Sequence, residues 1–115
     1  MKNLDAIINE IGFKIVEKIN QEENKTKYKN FIDKVLGVLA NDGVYAYWVY
    51  CKANKIDNVF INELEVIMEV ISDEVSNKEQ FFKNLSNNIH QLLFFKDMVE
   101  KALIYARYHA KAMGD

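Results

Sequence analysis

The chain has 115 residues, half of them hydrophobic and 28% charged, with a formal net charge of -2. That balance excludes a disordered chain, and the length suits one domain, residues 1–115, around a single hydrophobic core. Proline is absent and there are only four glycines, too few for the many turns of an all-β protein. The expectation is an all-α fold, a compact bundle of about six helices.

Taken in chain order, Leu4, Ile8, Ile11, Ile15 and Ile19 recur at three- and four-residue steps and predict a first helix over residues 4–20, with Asn3 as its N-cap. A polar break at 21–24 precedes a second amphipathic helix traced by Tyr28, Phe31, Ile32, Val35, Leu36 and Leu39. Gly43 fits its C-terminal stop. Residues 44–53, Val-Tyr-Ala-Tyr-Trp-Val-Tyr-Cys-Lys-Ala, then show almost no polar face. A strand fits that composition too, but the chain offers no second strand to pair with it, so a helix is expected. A helix that is apolar all round is normally enclosed by its neighbours, and this one is expected to be the central apolar helix of the bundle.

Residues 54–58 make the next connection, where Asp57 or Asn58 is placed to cap a fourth helix with the inner stripe Phe60, Leu64, Ile67 and Ile71. Ser76-Asn77-Lys78-Glu79 matches the capping box and opens a short helix containing Phe81, Phe82 and Leu85. After a break at 86–88, the last helix covers 89–113, turning Leu92, Phe95, Val99, Ala102, Ala106, Ala110 and Met113 inward. Phe94, Met98, Tyr105 and Tyr108 widen that arc, as contact with more than one neighbour would require.

Chemistry-bearing residues are few. His90 and His109 stand nineteen positions apart and match no zinc spacing. Packing or surface placement is the expectation for His109. The single cysteine, Cys51, excludes an internal disulfide and a zinc cluster, lies in the apolar run and reads as a small buried side chain. There is no glycine-rich phosphate loop. Nothing converges as a catalytic or cofactor site would, so neither enzyme activity nor a cofactor is expected. The start lacks the charged lead and apolar block of a secretory signal, and no window reaches the roughly 18 apolar residues of a membrane span. A reduced cytoplasmic setting without membrane contact is expected.

The small net charge hides a segregation. Residues 25–55 hold six lysines against two aspartates, whereas residues 56–80 hold seven acids against one lysine. Such asymmetry bears on partners rather than on fold. Glu65, Glu69 and Asp73 stand four apart and form an acidic ladder, mildly destabilising within one helix. It is either a solvated face or a docking surface for a basic partner. Lys25, Lys27 and Lys29 sit at a helix start, where the dipole disfavours positive charge. Either they are solubilising lysines, or they meet phosphates, with Lys34, Lys52 and Lys55 extending the patch. Lys101, Arg107 and Lys111 suit the dipole at the end of the last helix. The aromatics Tyr45, Tyr47, Trp48 and Tyr50 read as core rather than as base-stacking rings.

Lys27-Tyr28 leading a helix, the run Lys34-Val35-Leu36-Gly37-Val38-Leu39, and Asn41-Asp42-Gly43-Val44 before the aromatic helix resemble the small helical subunit of the type III-B CRISPR Cmr effector complex. The C-terminal stretch of Glu100 to Leu103, followed by Tyr108 and Lys111, is similar in style. Leu36 stands where that family often has proline, and Tyr108 where it tends to carry tryptophan. The resemblance implies a non-catalytic scaffold whose partners are the other Cmr subunits, neighbouring copies of itself, the crRNA and the target RNA. Copies would stack along the crRNA-bearing backbone and help hold the guide–target duplex. The RNA contacts would then fall among Lys25, Lys27, Lys29, Lys34, Lys52, Lys55, Lys101, Arg107 and Lys111, and the partner-docking contacts among Glu63, Glu65, Glu69, Asp73 and Glu74. The small subunit of type III-A complexes is a similar all-helical alternative. An unrelated helical protein-interaction module is the other.

Overall fold

In the computed structural model, residues 3–72 and 77–113 are described, and among them there is no strand. The helices are α1 (Leu4–Asn20), α2 (Lys25–Asp42), α3 (Val44–Ala53), the single turn α4 (Asp57–Phe60), α5 (Glu65–Ile71), α6 (Lys78–Leu85) and α7 (Ile89–Ala112), with a 3-10 turn (Asn62–Leu64) between α4 and α5. The all-α expectation holds, and four of the helix starts share one device. Asn3, Asn24, Asn77 and Asn88 each accept a backbone N–H two or three residues on, from Asp5, Lys27, Gln80 and Gln91. A free amide is thereby satisfied at each start. For α6 this makes Asn77 the N-cap in place of the expected Ser76, which lies outside the described residues.

The central element is α7. It packs against α1, α2, α5 and α6. It buries Phe95, Met98, Val99, Ala102, Leu103, Ala106 and Ala110, an arc wide enough for several neighbours. Against α1 the approach is close because Gly12 has no side chain: a Cβ there would come within 2.8 Å of the Ala106 backbone N and 2.9 Å of the Ala102 carbonyl. Small residues on both helices make that seam. Farther along it Asn20 Nδ2 donates to Met113 Sδ at 3.2 Å, so α1 and α7 run in the same direction. His109 joins the seam, with Nε2 2.8 Å from Asn9 Oδ1 and its ring edge-on to Phe13.

The expectation that α3 is enclosed on all sides is corrected. Only Val44, Tyr47 and Cys51 are buried in it, while Tyr45 and Val49 are 44% and 47% exposed. Gly43, at φ 97°, turns the chain so that α3 folds back on α2 and Tyr50 comes to 6.3 Å from Phe31 between ring centroids. A flanking helix touches neighbours on one side only. On that side Trp48 stacks on Phe82 at 4.9 Å, and Phe82 packs edge-on against Phe95 of α7.

The predicted fourth helix is broken, for a reason visible in its burial. Val59, Phe60 and Ile61 are all buried, and three consecutive residues cannot share one helical stripe. A bend at Ile61 (φ -116°, ψ -47°) lets all three turn inward. The Tyr47 hydroxyl donates to the Phe60 carbonyl at 2.6 Å at this break. The expected cap at Asp57 or Asn58 is also corrected: Ile56 precedes the turn, with no side-chain cap. Asp57 instead accepts from Lys52 at 3.3 Å, and Asn58 Nδ2 donates to Glu22 Oε1 at 3.3 Å. Burial pushes the Tyr47 hydroxyl well up from its ordinary value and the Cys51 thiol up to about 12. Cys51 is thus a packing residue, not a thiolate. No described helix is long and apolar enough to cross a membrane.

Candidate nucleic-acid interface

Opposite the α1 seam, α7 meets α2, and here the contact is charged and open. Asp33 on α2 accepts from Arg107 Nη1 at 3.2 Å, holding the two helices at one point. From there a groove of about 400 Å³ runs between them, lined by Lys29, Ile32 and Asp33 on one side and Arg107, Tyr108, Ala110 and Lys111 on the other. The helices are antiparallel, since Lys29 lies one turn before Asp33 while Lys111 lies one turn after Arg107. Helical spacing explains the grouping: residues four apart on each helix stand one above the other. The groove therefore carries three cations and one carboxylate, a field that attracts phosphate groups.

Of the nine sequence-predicted RNA contacts, Lys29, Arg107 and Lys111 are brought together here. The other six are not part of this groove. Lys25 and Lys27 are exposed at the start of α2. Lys34 lies over the Phe31 ring at 5.3 Å, and that ring packs edge-on against Tyr28 and Tyr50. Lys52 is held by Asp57 and by the Trp48 ring, 5.4 Å from its centroid. Lys55 is exposed with φ 57°, ending the α3 connection. Lys101 pairs with Asp97 at 3.0 Å, and that hydrogen bond raises its pKa.

Two groove residues escaped the sequence reading. Asp33 had counted only as a charge, though its position one helical turn after Lys29 was a usable signal. Tyr108 was expected to widen the apolar arc of α7, and this is corrected: it is 61% exposed, as Tyr105 is at 37%. Leu103 takes the buried place instead.

Of the docking candidates, Glu65 and Glu69 stand four apart on α5 as the expected ladder has them, and Glu63 lies on the 3-10 turn before it. Glu63 is paired with Lys18 at 2.8 Å and Glu65 with Lys78 at 2.7 Å. Glu69 makes no ion pair among the described residues and stands on α5 between the exposed Val66 and Val70. Asp73 and Glu74 lie outside the described residues. A second cleft, about 550 Å³ and lined by Trp48, Lys52, Asp57, Asn62, Glu65 and Lys78 among others, is larger than the groove. Its lysines Lys52 and Lys78 are paired with Asp57 and Glu65.

Among the described residues, no three His, Cys, Asp or Glu side chains gather where they could hold a metal ion. No family model matches the chain, and neither a curated protein nor a solved structure matches it.

Proposed function

We propose that this protein is a non-catalytic structural subunit of a CRISPR type III-B RNA-targeting ribonucleoprotein, stacking along the crRNA-bearing backbone and helping to hold the guide–target RNA duplex. The observation that carries the RNA part of this reading is the α2–α7 groove, where Lys29, Arg107 and Lys111 line one surface. Cations arranged along a groove meet the phosphate backbone without reading bases, which suits a subunit that must accept any guide. The sequence resemblance to the Cmr small subunit supplies the particular complex, with its other subunits and neighbouring copies of this chain as partners.

Type III-A complexes use a similar subunit and share these expectations. One observation favours a different reading, that of a general protein-interaction module: Val66 and Val70 present an exposed apolar pair around Glu69 on α5. Such a strip suits protein docking more than RNA.

The test is reconstitution onto a Cmr backbone subunit loaded with crRNA, followed by native mass spectrometry at low and high salt. Repeated copies that incorporate at low salt and dissociate at high salt are expected. A competent backbone that takes up no copies at either salt would overturn the assignment.

A further inference from the structure

We propose that the α2–α7 groove receives one ribonucleotide of a single-stranded RNA, its phosphate on Arg107 and Lys111, its 2′-hydroxyl on the Asp33 carboxylate and its base against the Tyr108 ring. The proposal rests on the RNA-associated reading above. It narrows that reading, at this groove, from any phosphate backbone to a ribose whose base is unpaired, in a stretch of the bound RNA beside the duplex.

Asp33 is the residue that a pure phosphate groove does not explain. A carboxylate among three cations repels every nucleic acid that approaches, whatever its sugar. Nor does the fold need it much. Its pair with Arg107 leaves the two side chains 68% and 43% exposed, and exposed pairs add little to stability. What a carboxylate does supply is acceptor capacity. Arg107 engages Oδ1, and an ionised carboxylate accepts at both oxygens. A ribose 2′-hydroxyl is a donor that DNA lacks, so an acceptor set beside the phosphate-holding cations would separate RNA from DNA.

Tyr108 supplies the other half. Among the described residues it is the most exposed of the large apolar side chains, and it stands on the groove wall between Arg107 and Lys111 in sequence. An exposed ring next to cations is a platform for a base face. Within a duplex, base faces are covered by their own neighbours. Only an unpaired base can turn onto the ring. The groove, about 400 Å³, lies within the roughly 300–1,000 Å³ range of clefts that take small ligands. Cations for phosphate, an acceptor for the hydroxyl and a ring for the base are thus gathered within one turn on each of two helices.

The test uses the full chain and fluorescence anisotropy at low salt, with three labelled probes: an oligouridylate, the oligodeoxyuridylate of the same length, and a short RNA duplex. The wild type is expected to prefer the oligouridylate. In Asp33→Ala, the ratio of RNA to DNA affinity falls to about one, whatever happens to the absolute affinities. In Tyr108→Ala, oligouridylate affinity drops by roughly fivefold or more while duplex affinity holds. Equal gains for RNA and DNA in Asp33→Ala would reduce the carboxylate to a repelling charge and overturn the proposal, as would an unchanged oligouridylate affinity in Tyr108→Ala. An Arg107→Ala/Lys111→Ala double variant separates the two levels. If it binds all three probes as the wild type does, or if the wild type binds none, the RNA-associated reading fails together with this one. If it loses binding while the Asp33 ratio stays unchanged, only the ribonucleotide proposal fails.

Discussion

The two long faces of α7 make opposite use of the same helix. Toward α1 it presents Ala102 and Ala106, small enough for the Gly12 backbone to approach. Toward α2 it presents Arg107, Tyr108 and Lys111, long side chains that line an open groove. One face spends its residues on close packing, where interiors are dense and small volume changes are felt. The other leaves its residues accessible. A single helix can thus anchor a fold and carry a binding surface because neighbouring positions in sequence point to different sides.

The largest expected effect comes from breaking the close face. Gly12→Val places branched atoms where even a Cβ would meet backbone on α7, and neither backbone atom can swing away. Destabilisation of about 3 kcal/mol or more is expected, at the top of the overpacking range, read as a lowered denaturant midpoint. Gly37 sharpens the comparison from α2, since a Cβ there meets nothing within 4 Å. Gly37→Ala should stabilise by about 0.5–1 kcal/mol, the ordinary gain for removing a mid-helix glycine. Two helical glycines then give opposite signs, and a loss of stability in Gly37→Ala would show that the α2 surface is more crowded than its geometry indicates. The smallest effect belongs to the open face. Asp33→Ala should change stability by less than about 1 kcal/mol, because the ion pair it removes is solvent-exposed on both sides. A larger loss in thermal melts would make the pair structural and weaken the case for a binding role.

Much of the local structure was legible from residue types. The bounds of α1, the Asn3 cap and the Gly43 stop follow from spacing and backbone chemistry within a few residues, and the structure has them where expected. The burial of Phe95, Val99, Ala102, Ala106 and Ala110 follows from periodicity in the same way. The position of α3 was not legible. Its composition demands burial, yet Tyr45 and Val49 stay exposed, because the number of neighbours around a helix is a property of the whole packing. The break at Ile61 was likewise hidden. A stripe of Phe60, Leu64 and Ile67 fits one continuous helix until the burial of Val59 and Ile61 forces the bend.

For the candidate site, the sequence located a lysine-rich half and a basic C-terminal helix but joined all nine cations into one expectation. Arg107 and Asp33 lie 74 positions apart, and no local pattern relates residues at that distance. The all-α class and the ends of helices such as α1 were determined by the sequence alone, since hydrogen bonding and capping act over one or two turns. The tertiary structure decided which side of α7 faces α1 and which faces α2, and so which cations share a groove with Asp33 and Tyr108. The close fit at Gly12 sets how α1 lies against α7, and the remaining side of α7 is left for the charged residues.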